Sequence, residues 1–258
     1  MEKRPEGILP AQLILATDID DTLLGNPEAL AKLNYWLILN RKRVFLVYLT
    51  GRHRKSALEV IWKEGLILPD ILVTDVGARI CFPPNYISDP FWHKHILAGW
   101  RPHRIAAAVR SLPMLVRQPV PALFRLSYFI QGNTGGKRIV EEVTNCLQQR
   151  GLRGKVVLSK GIYLDILPPH AGKGPALAYL QKKYNWDPCS ILVCGDSGND
   201  AEMLNLGFPA VLVGNASEEV KNKDWPPTVY LARSSYAAGI WEGLQQWNKA
   251  LRPIERPS

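Results

Sequence analysis

Short, continuous apolar runs at 12–17, 44–49 (VFLVYL) and 71–75 (ILVTD) alternate with amphipathic stretches at about 27–40 and 53–65. Apolar runs of that length predict strands buried on both faces, and the helical stretches between them predict parallel pairing. The rhythm returns after about residue 172. There GKGPALAYLQKKY reads as a helix, SILVC as a strand, DAEMLNLG as a short helix, PAVLVG as a strand and YAAGIWEGLQQWNKAL as a closing helix.

Between roughly 80 and 165 the pattern changes, with prolines at 83, 84, 90, 102, 113, 119 and 121. FRLSYFIQ alternates like an antiparallel strand, GGKRIVEEVTNCLQQRG has helical spacing, and KVVLSKGIYLDILP reads as strand, turn and strand. The expected fold is therefore α/β: a Rossmann-like parallel-sheet core formed by 1–78 and 166–258, interrupted by an α+β insertion at 79–165. Residues 1–10 and 252–258 are expected to fray.

The chain of 258 residues is 47% hydrophobic, enough for a core of this kind. MEKRPEGILPAQ lacks the basic, apolar and small-residue succession of a secretory leader, and no apolar stretch reaches membrane-spanning length. A soluble cytoplasmic protein without membrane attachment is the expectation. Cys81, Cys146, Cys189 and Cys194 show no CxxC spacing and read as incidental thiols. The formal charge of +9 is scattered, with clusters only at 41–43 and 52–55, which argues against nucleic acid and for a small anionic substrate.

In an open parallel sheet the ligand crevice lies beyond the carboxyl ends of the strands. Asp18, Asp20, Thr50, Asp75, Asp196 and Asp200 all follow apolar runs and are expected to converge there. Crowded carboxylates require a cation, and an oxygen-rich set with few His or Cys nearby favours Mg²⁺. Within DIDDT, a carboxylate nucleophile at Asp18 and an acid two residues on at Asp20 have the spacing for phosphoryl transfer through an aspartyl-phosphate. Asp21 reads as a helix cap or supporting group, and Thr22 as a brace for the loop. The Thr50 hydroxyl and the Gly51 amide are candidates to hold phosphate oxygens. Lys173, opening a helix, offers a point charge to an anion.

HKH at 93–95, with His53, His103 and His170, has no matching zinc spacing and reads as solvent-facing or packing histidine. Trp92 and Trp100 read as core, although a sugar could stack on either. Ser127 and Tyr128 are weaker candidates for the crevice.

DIDDT, LTGR, the lysine of AGKGPALAYL and GDSGND stand in the order of the four motifs of haloacid-dehalogenase-like (HAD) hydrolases, which the chain resembles. The insertion between the second and third motifs resembles the type C2 cap of that superfamily. More closely, YLDILPPHAGKGPALAYL, ILVCGDSGNDAEM and LPDILVTDVG are similar to the sucrose-phosphate phosphatases.

The resemblance implies Asp18 as nucleophile, Asp20 as general acid/base, and Thr50 and Lys173 on the phosphoryl group. It implies Mg²⁺ held by Asp18, the Asp20 main-chain carbonyl and Asp196. Asn199 is implied as a phosphate or substrate contact, and Asp200 as orienting Lys173 or metal-bound water. The implied reaction is hydrolysis of a small sugar phosphate, first of all sucrose 6-phosphate, with association with a sucrose-phosphate synthase as a further expectation. Another disaccharide or glycosylglycerate phosphate, a sugar phosphomutase and a regulatory partner of the glycosyltransferase are the alternatives. Two departures from the family pattern, Ala78-Arg79-Ile80 and the turn with Lys160 in SKGIY, are expected near the sugar. Both should therefore alter sugar preference when substituted.

Overall fold

The computed structural model describes residues 13–251 apart from 121–122 and 133–134, with the side chains of 248–251 also left undescribed. The ends expected to fray, Gln12 at the start of the first apolar run, and Pro121 lie outside the described residues. The apolar runs become strands β1 (Leu13–Thr17), β2 (Val44–Leu49) and β3 (Ile71–Thr74), joined by helices α1 (Pro27–Leu39) and α2 (Arg54–Lys63).

Local chemistry sets these boundaries. Asn26 caps α1 by accepting from the Ala29 amide, Pro27 supplies a preset first turn, and Leu30, Leu33 and Leu37 form the buried stripe. His53 Nδ1 caps α2 by accepting from the Ser56 amide, so this histidine has a structural role.

Two further strands extend the sheet: β4 (Arg79–Phe82), antiparallel to β3, and β5 (Ile87–Ser88), antiparallel to β4. After them come α3 (Pro90–Ile96), α4 (Pro102–Val109), β6 (Leu115–Arg117), β7 (Leu126–Ile130), α5 (Gly136–Gln148), β8 (Lys155–Ser159) and β9 (Tyr163–Leu167). The chain returns to the core through α6 (Lys173–Tyr184), β10 (Ile191–Gly195), α7 (Ala201–Leu204), β11 (Ala210–Leu212), α8 (Glu218–Lys221), β12 (Val229–Leu231) and α9 (Tyr236–Leu251). The core sheet runs β12-β11-β10-β1-β2-β3-β4-β5, and a second antiparallel sheet runs β6-β7-β9-β8. This is the HAD-like α/β fold, with its parallel strands covered by helices on both faces.

The division between the two sheets departs from the expected insertion at 79–165. Strands β4 and β5 hydrogen-bond into the core sheet, and Trp92 and Ile96 of α3 are buried in the core, where the Trp92 indole donates to Gly77 O at 3.1 Å. The separate hydrophobic cluster of the second sheet begins at Trp100 and ends at Ile166, with Ile105, Leu126, Val143 and Leu164 inside it. Pro83 and Pro84 lie in the turn between β4 and β5 and Pro90 opens α3, so they do not announce a new unit. Trp100 and Tyr128 are packing residues of this second cluster.

Candidate active site

β1 lies between β10 and β2, the point at which the strand order reverses. Thr17 is level with Cys194 on one side and Tyr48 on the other, so the residues that follow all three strands leave the sheet at one edge. Asp18 follows β1 directly and Asp196 follows β10 directly, which brings distant parts of the sequence into contact.

Asp18, Asp196 and Asp200 are buried, and their carboxylate oxygens lie within 4.8 Å of one another, forming one acidic group among the described residues. Lys173 Nζ, fully buried, reaches Asp18 Oδ1 at 2.6 Å and Asp200 Oδ1 at 2.7 Å. The other oxygen of Asp200 accepts the main-chain amides of Asp196 and Ser197, both at 3.0 Å, fixing the loop against the lysine. The Thr22 hydroxyl donates to Asp196 Oδ1 at 2.9 Å and stands 3.5 Å from Asp18 Oδ2, bracing both acidic loops. Gly77 makes the close packing possible: its φ is +87°, and a Cβ there would lie 2.1 Å from the Gly172 carbonyl carbon, just before α6 and Lys173.

Three carboxylates against one ammonium leave an excess of negative charge in a buried place. Burial pushes the Asp18 carboxyl well above the usual range; Lys173 opposes that rise, while Asp200 and Asp196 add to it. Asp196 is raised as well, by burial first and by Asp200 second. Burial pulls against a charged Lys173, but Asp18 and Asp200 outweigh it and hold the lysine above its ordinary value. A hard oxygen donor set that resists ionisation until a cation arrives fits a divalent metal.

Asp20 lies apart from this trio. Its carboxylate is gripped by Arg52, with Nε at 2.9 and 3.0 Å and Nη2 at 2.7 Å. Thr50 is wholly buried and accepts the Arg52 amide at 3.1 Å, while Gly51 forms the surface above it. A methyl group on Gly51 would sit 3.7 Å from Asn199 Nδ2, so the second and fourth motif loops face one another.

These residues open into a cavity of about 370 Å³ between the two sheets, within the range of small-molecule sites, roughly 300–1,000 Å³. The core contributes Asp18, Asp20, Gly51, Arg52 and Asn199; the second sheet contributes Gln118, Arg125, Lys160, Tyr163 and Asp165. Lys160 thus lines the cavity, with its Nζ paired to Asp21. Asp21 has φ +59° and no helix starts beside it, which corrects the expectation of a helix cap.

Asp75 is also redirected. Its carboxylate lies 3.6 Å from Arg125 Nε and 3.5 Å from Arg79 Nε, so it serves an arginine pair and stays outside the metal group. Arg79 is not part of the cavity wall; it lies over the Phe124 ring at 4.8 Å.

Sequence reasoning missed Arg52, Gln118, Arg125, Tyr163 and Asp165. Arg52 stood inside the quoted LTGR motif and carried a findable signal. The others come from strands whose pairing no local pattern specifies. Ser127 is buried and donates to Asp165 at 2.5 Å, below the cavity surface. The histidines pack against rings, His93 on Phe124 and His95 on Trp92, and are not part of the acidic group.

A parallel sheet with its crevice at β1 and β10, four motif loops converging there and a second sheet over the opening define the haloacid-dehalogenase-like fold class. Residues 11–248 match the model of the family described as sucrose-6F-phosphate phosphohydrolase. The chain belongs to that family. It is 34% identical to the probable sucrose-phosphatase 3a of Arabidopsis thaliana, and 32% identical to sucrose-phosphatase 1 of Nicotiana tabacum. These alignments take in 93% and 92% of this chain, which spans 60% of the length of each of the two relatives. The sucrose-phosphatase of Synechocystis sp., solved with sucrose and phosphate, superposes with a TM-score of 0.87 at 31% identity, covering 92% of this chain and 98% of that one. Among the described residues no helix is long and apolar enough to cross a membrane.

Proposed function

We propose that the chain is a Mg²⁺-dependent phosphatase that hydrolyses sucrose 6-phosphate to sucrose and phosphate through an aspartyl-phosphate on Asp18. One observation carries the reading: the Asp18 carboxylate sits at the wall of a cavity shared by the two sheets, held by buried Lys173 and flanked by Asp196 and Asp200. Family membership supports the phosphoryl chemistry, and the ligands of the Synechocystis relative support the sugar.

In this mechanism an Asp18 oxygen attacks phosphorus as the bond from phosphorus to the sugar oxygen breaks. Asp20 gives a proton to that leaving oxygen. Asp20 then takes a proton from water as the water attacks phosphorus and the bond to Asp18 breaks, which restores the Asp18 carboxylate and the protonated Asp20. Lys173, the Gly51 amide and Asn199 surround the phosphoryl oxygens, and Arg52 sets the direction of Asp20 until substrate arrives. Asp18, Asp196, Asp200 and the Asp20 main-chain carbonyl would hold the cation, which supplies positive charge against the phosphoryl group. The second sheet acts as a cap that excludes bulk water and reads the sugar hydroxyls.

The test is phosphate release from a panel of sucrose 6-phosphate, other disaccharide phosphates and glycosylglycerate phosphates, with Mg²⁺ and after chelation. Release is expected to be fastest from sucrose 6-phosphate and to vanish with EDTA. No release from any sugar phosphate in Mg²⁺ would sink the proposal.

Asp20→Asn provides a second check. Loss of a positioned proton donor costs about 10²–10⁴-fold on a sugar ester. The loss should be smaller on p-nitrophenyl phosphate, whose leaving group needs no proton. Equal losses on both esters would remove Asp20 from the acid role.

A further inference from the structure

Glu219, in α8, does not line the substrate cavity, yet its carboxylate gathers three main-chain amides from two separate parts of the chain. Its Oε1 accepts Gly198 N at 2.8 Å and Lys160 N at 2.9 Å, and its Oε2 accepts Gly161 N at 3.2 Å. Gly198 belongs to the GDSGND loop that carries Asp196 and Asp200. Lys160 and Gly161 form the tip of the hairpin between β8 and β9 in the cap.

That tip is built to present its amides together. Lys160 and Gly161 have φ of +55° and +68°, two successive left-handed residues as in a tight hairpin turn. A lysine is disfavoured in that region, and its amide and that of Gly161 both meet the Glu219 carboxylate. The loop is shaped to receive the turn: a Cβ on Gly198 would fall 2.4 Å from Leu158 O and 2.8 Å from Glu219 Oε1. The Lys160 side chain meanwhile pairs with Asp21 beside the nucleophile loop. One hairpin tip therefore touches both acidic loops, by its side chain on one and through Glu219 on the other.

We infer that Glu219 is a positioning residue that fastens the closed cap to the core beside the GDSGND loop, and so favours closure over the sugar. Hydrogen bonds to an ionised acceptor are the strong ones, and the two from Lys160 and Gly161 exist only when the hairpin tip meets Glu219, while the one from Gly198 holds Glu219 to the loop. Opening the cap leaves the Lys160 and Gly161 amides to water. Glu219 thereby weights the equilibrium towards the closed form that a sugar substrate requires and a small ester does not. The inference rests on the proposed phosphatase reading only for the choice of substrates in its test.

Hydrogen exchange and kinetics on the full chain test this. In Glu219→Ala the hairpin segment 158–163 should exchange faster than in the unmodified protein. KM for sucrose 6-phosphate should rise about tenfold, the scale of one lost hydrogen bond to a charged group. kcat/KM for p-nitrophenyl phosphate should stay within about threefold, because that ester does not depend on closure. Glu219→Gln keeps one acceptor oxygen and should recover part of both the protection and the KM.

Unchanged exchange of 158–163 in both variants would overturn the inference. So would proportional losses on both esters with a lowered Tm, the mark of a merely structural glutamate. If the unmodified protein hydrolyses no sucrose 6-phosphate, the functional reading fails, and the exchange comparison still decides whether Glu219 clamps the cap.

Discussion

Asp18→Asn is expected to lower kcat/KM by at least about 10⁴-fold while leaving the fold intact, because an amide of the same shape cannot form the bond to phosphorus. The side chain is buried, and burial together with Asp200 and Asp196 makes its ionised form costly. Replacing that carboxylate by a neutral amide relieves repulsion within the acidic group, and Lys173 keeps its second partner, Asp200, at 2.7 Å. In EDTA the variant should therefore melt at or above the temperature of the unmodified chain, measured by circular dichroism. Retention of more than a few per cent of the activity would remove Asp18 as the nucleophile. Collapse of the folded state would mean that its carboxylate is a structural requirement.

The core of this site was legible because its residues are local motifs at the ends of strands. VFLVYL became β2 at its expected limits, and Asp18 and Asp196 could be placed at one sheet edge from the apolar runs before them. The cap was less legible for two reasons. Strands β4 and β5 are four residues and two, too short to alternate clearly, and only their ladder onto β3 assigns them to the core. The cavity wall also depends on register: Leu126 opposite Ile166 and Val157 opposite Asp165 bring Arg125 and Asp165 together, and a one-residue slip would turn those side chains away.

The departures at Arg79 and Lys160 separate once that register is known. Lys160 faces the cavity and carries the cap contact, whereas Arg79 pairs with Asp75 beneath it. Both had seemed equivalent because each broke the family pattern near a junction. Arg125 explains the difference. Its Nη1 donates to Gly51 O at 2.5 Å and its Nε lies 3.6 Å from Asp75, so the segment entering β7 is tied to the loop after β2 through the buried arginine and acid that Arg79 also joins. Substituting Arg79 would then disturb the junction before it changed any sugar contact.

Lys173→Met should cost about 3–5 kcal/mol of stability in metal-free protein, the scale for removing one partner of a buried ionic group. Methionine keeps most of the aliphatic stem, so the loss measures the charge more than the packing. Without it Asp18, Asp196 and Asp200 face one another within 4.8 Å, with no positive group at bonding distance from Asp18. The pH dependence identifies the cause. Burial holds Asp18 and Asp196 above the ordinary carboxylate range in the folded chain, so the folded state binds more protons than the unfolded one between the two pKa values. Stability linked to such groups is present at low pH and is lost as pH rises through their folded pKa. The deficit of Lys173→Met against the unmodified protein should therefore narrow as pH falls from about 8 to about 5. Added Mg²⁺ should narrow it at neutral pH, because an ion that binds only the folded state stabilises it by mass action. Turnover should still fall by about 10²–10³-fold with metal present, since the cation does not replace a fixed donor at the Asp18 oxygen. Chemical denaturation in EDTA across that pH range checks the first claim. A deficit that is constant with pH would assign the lysine to packing and leave the charge balance of the site to the metal alone.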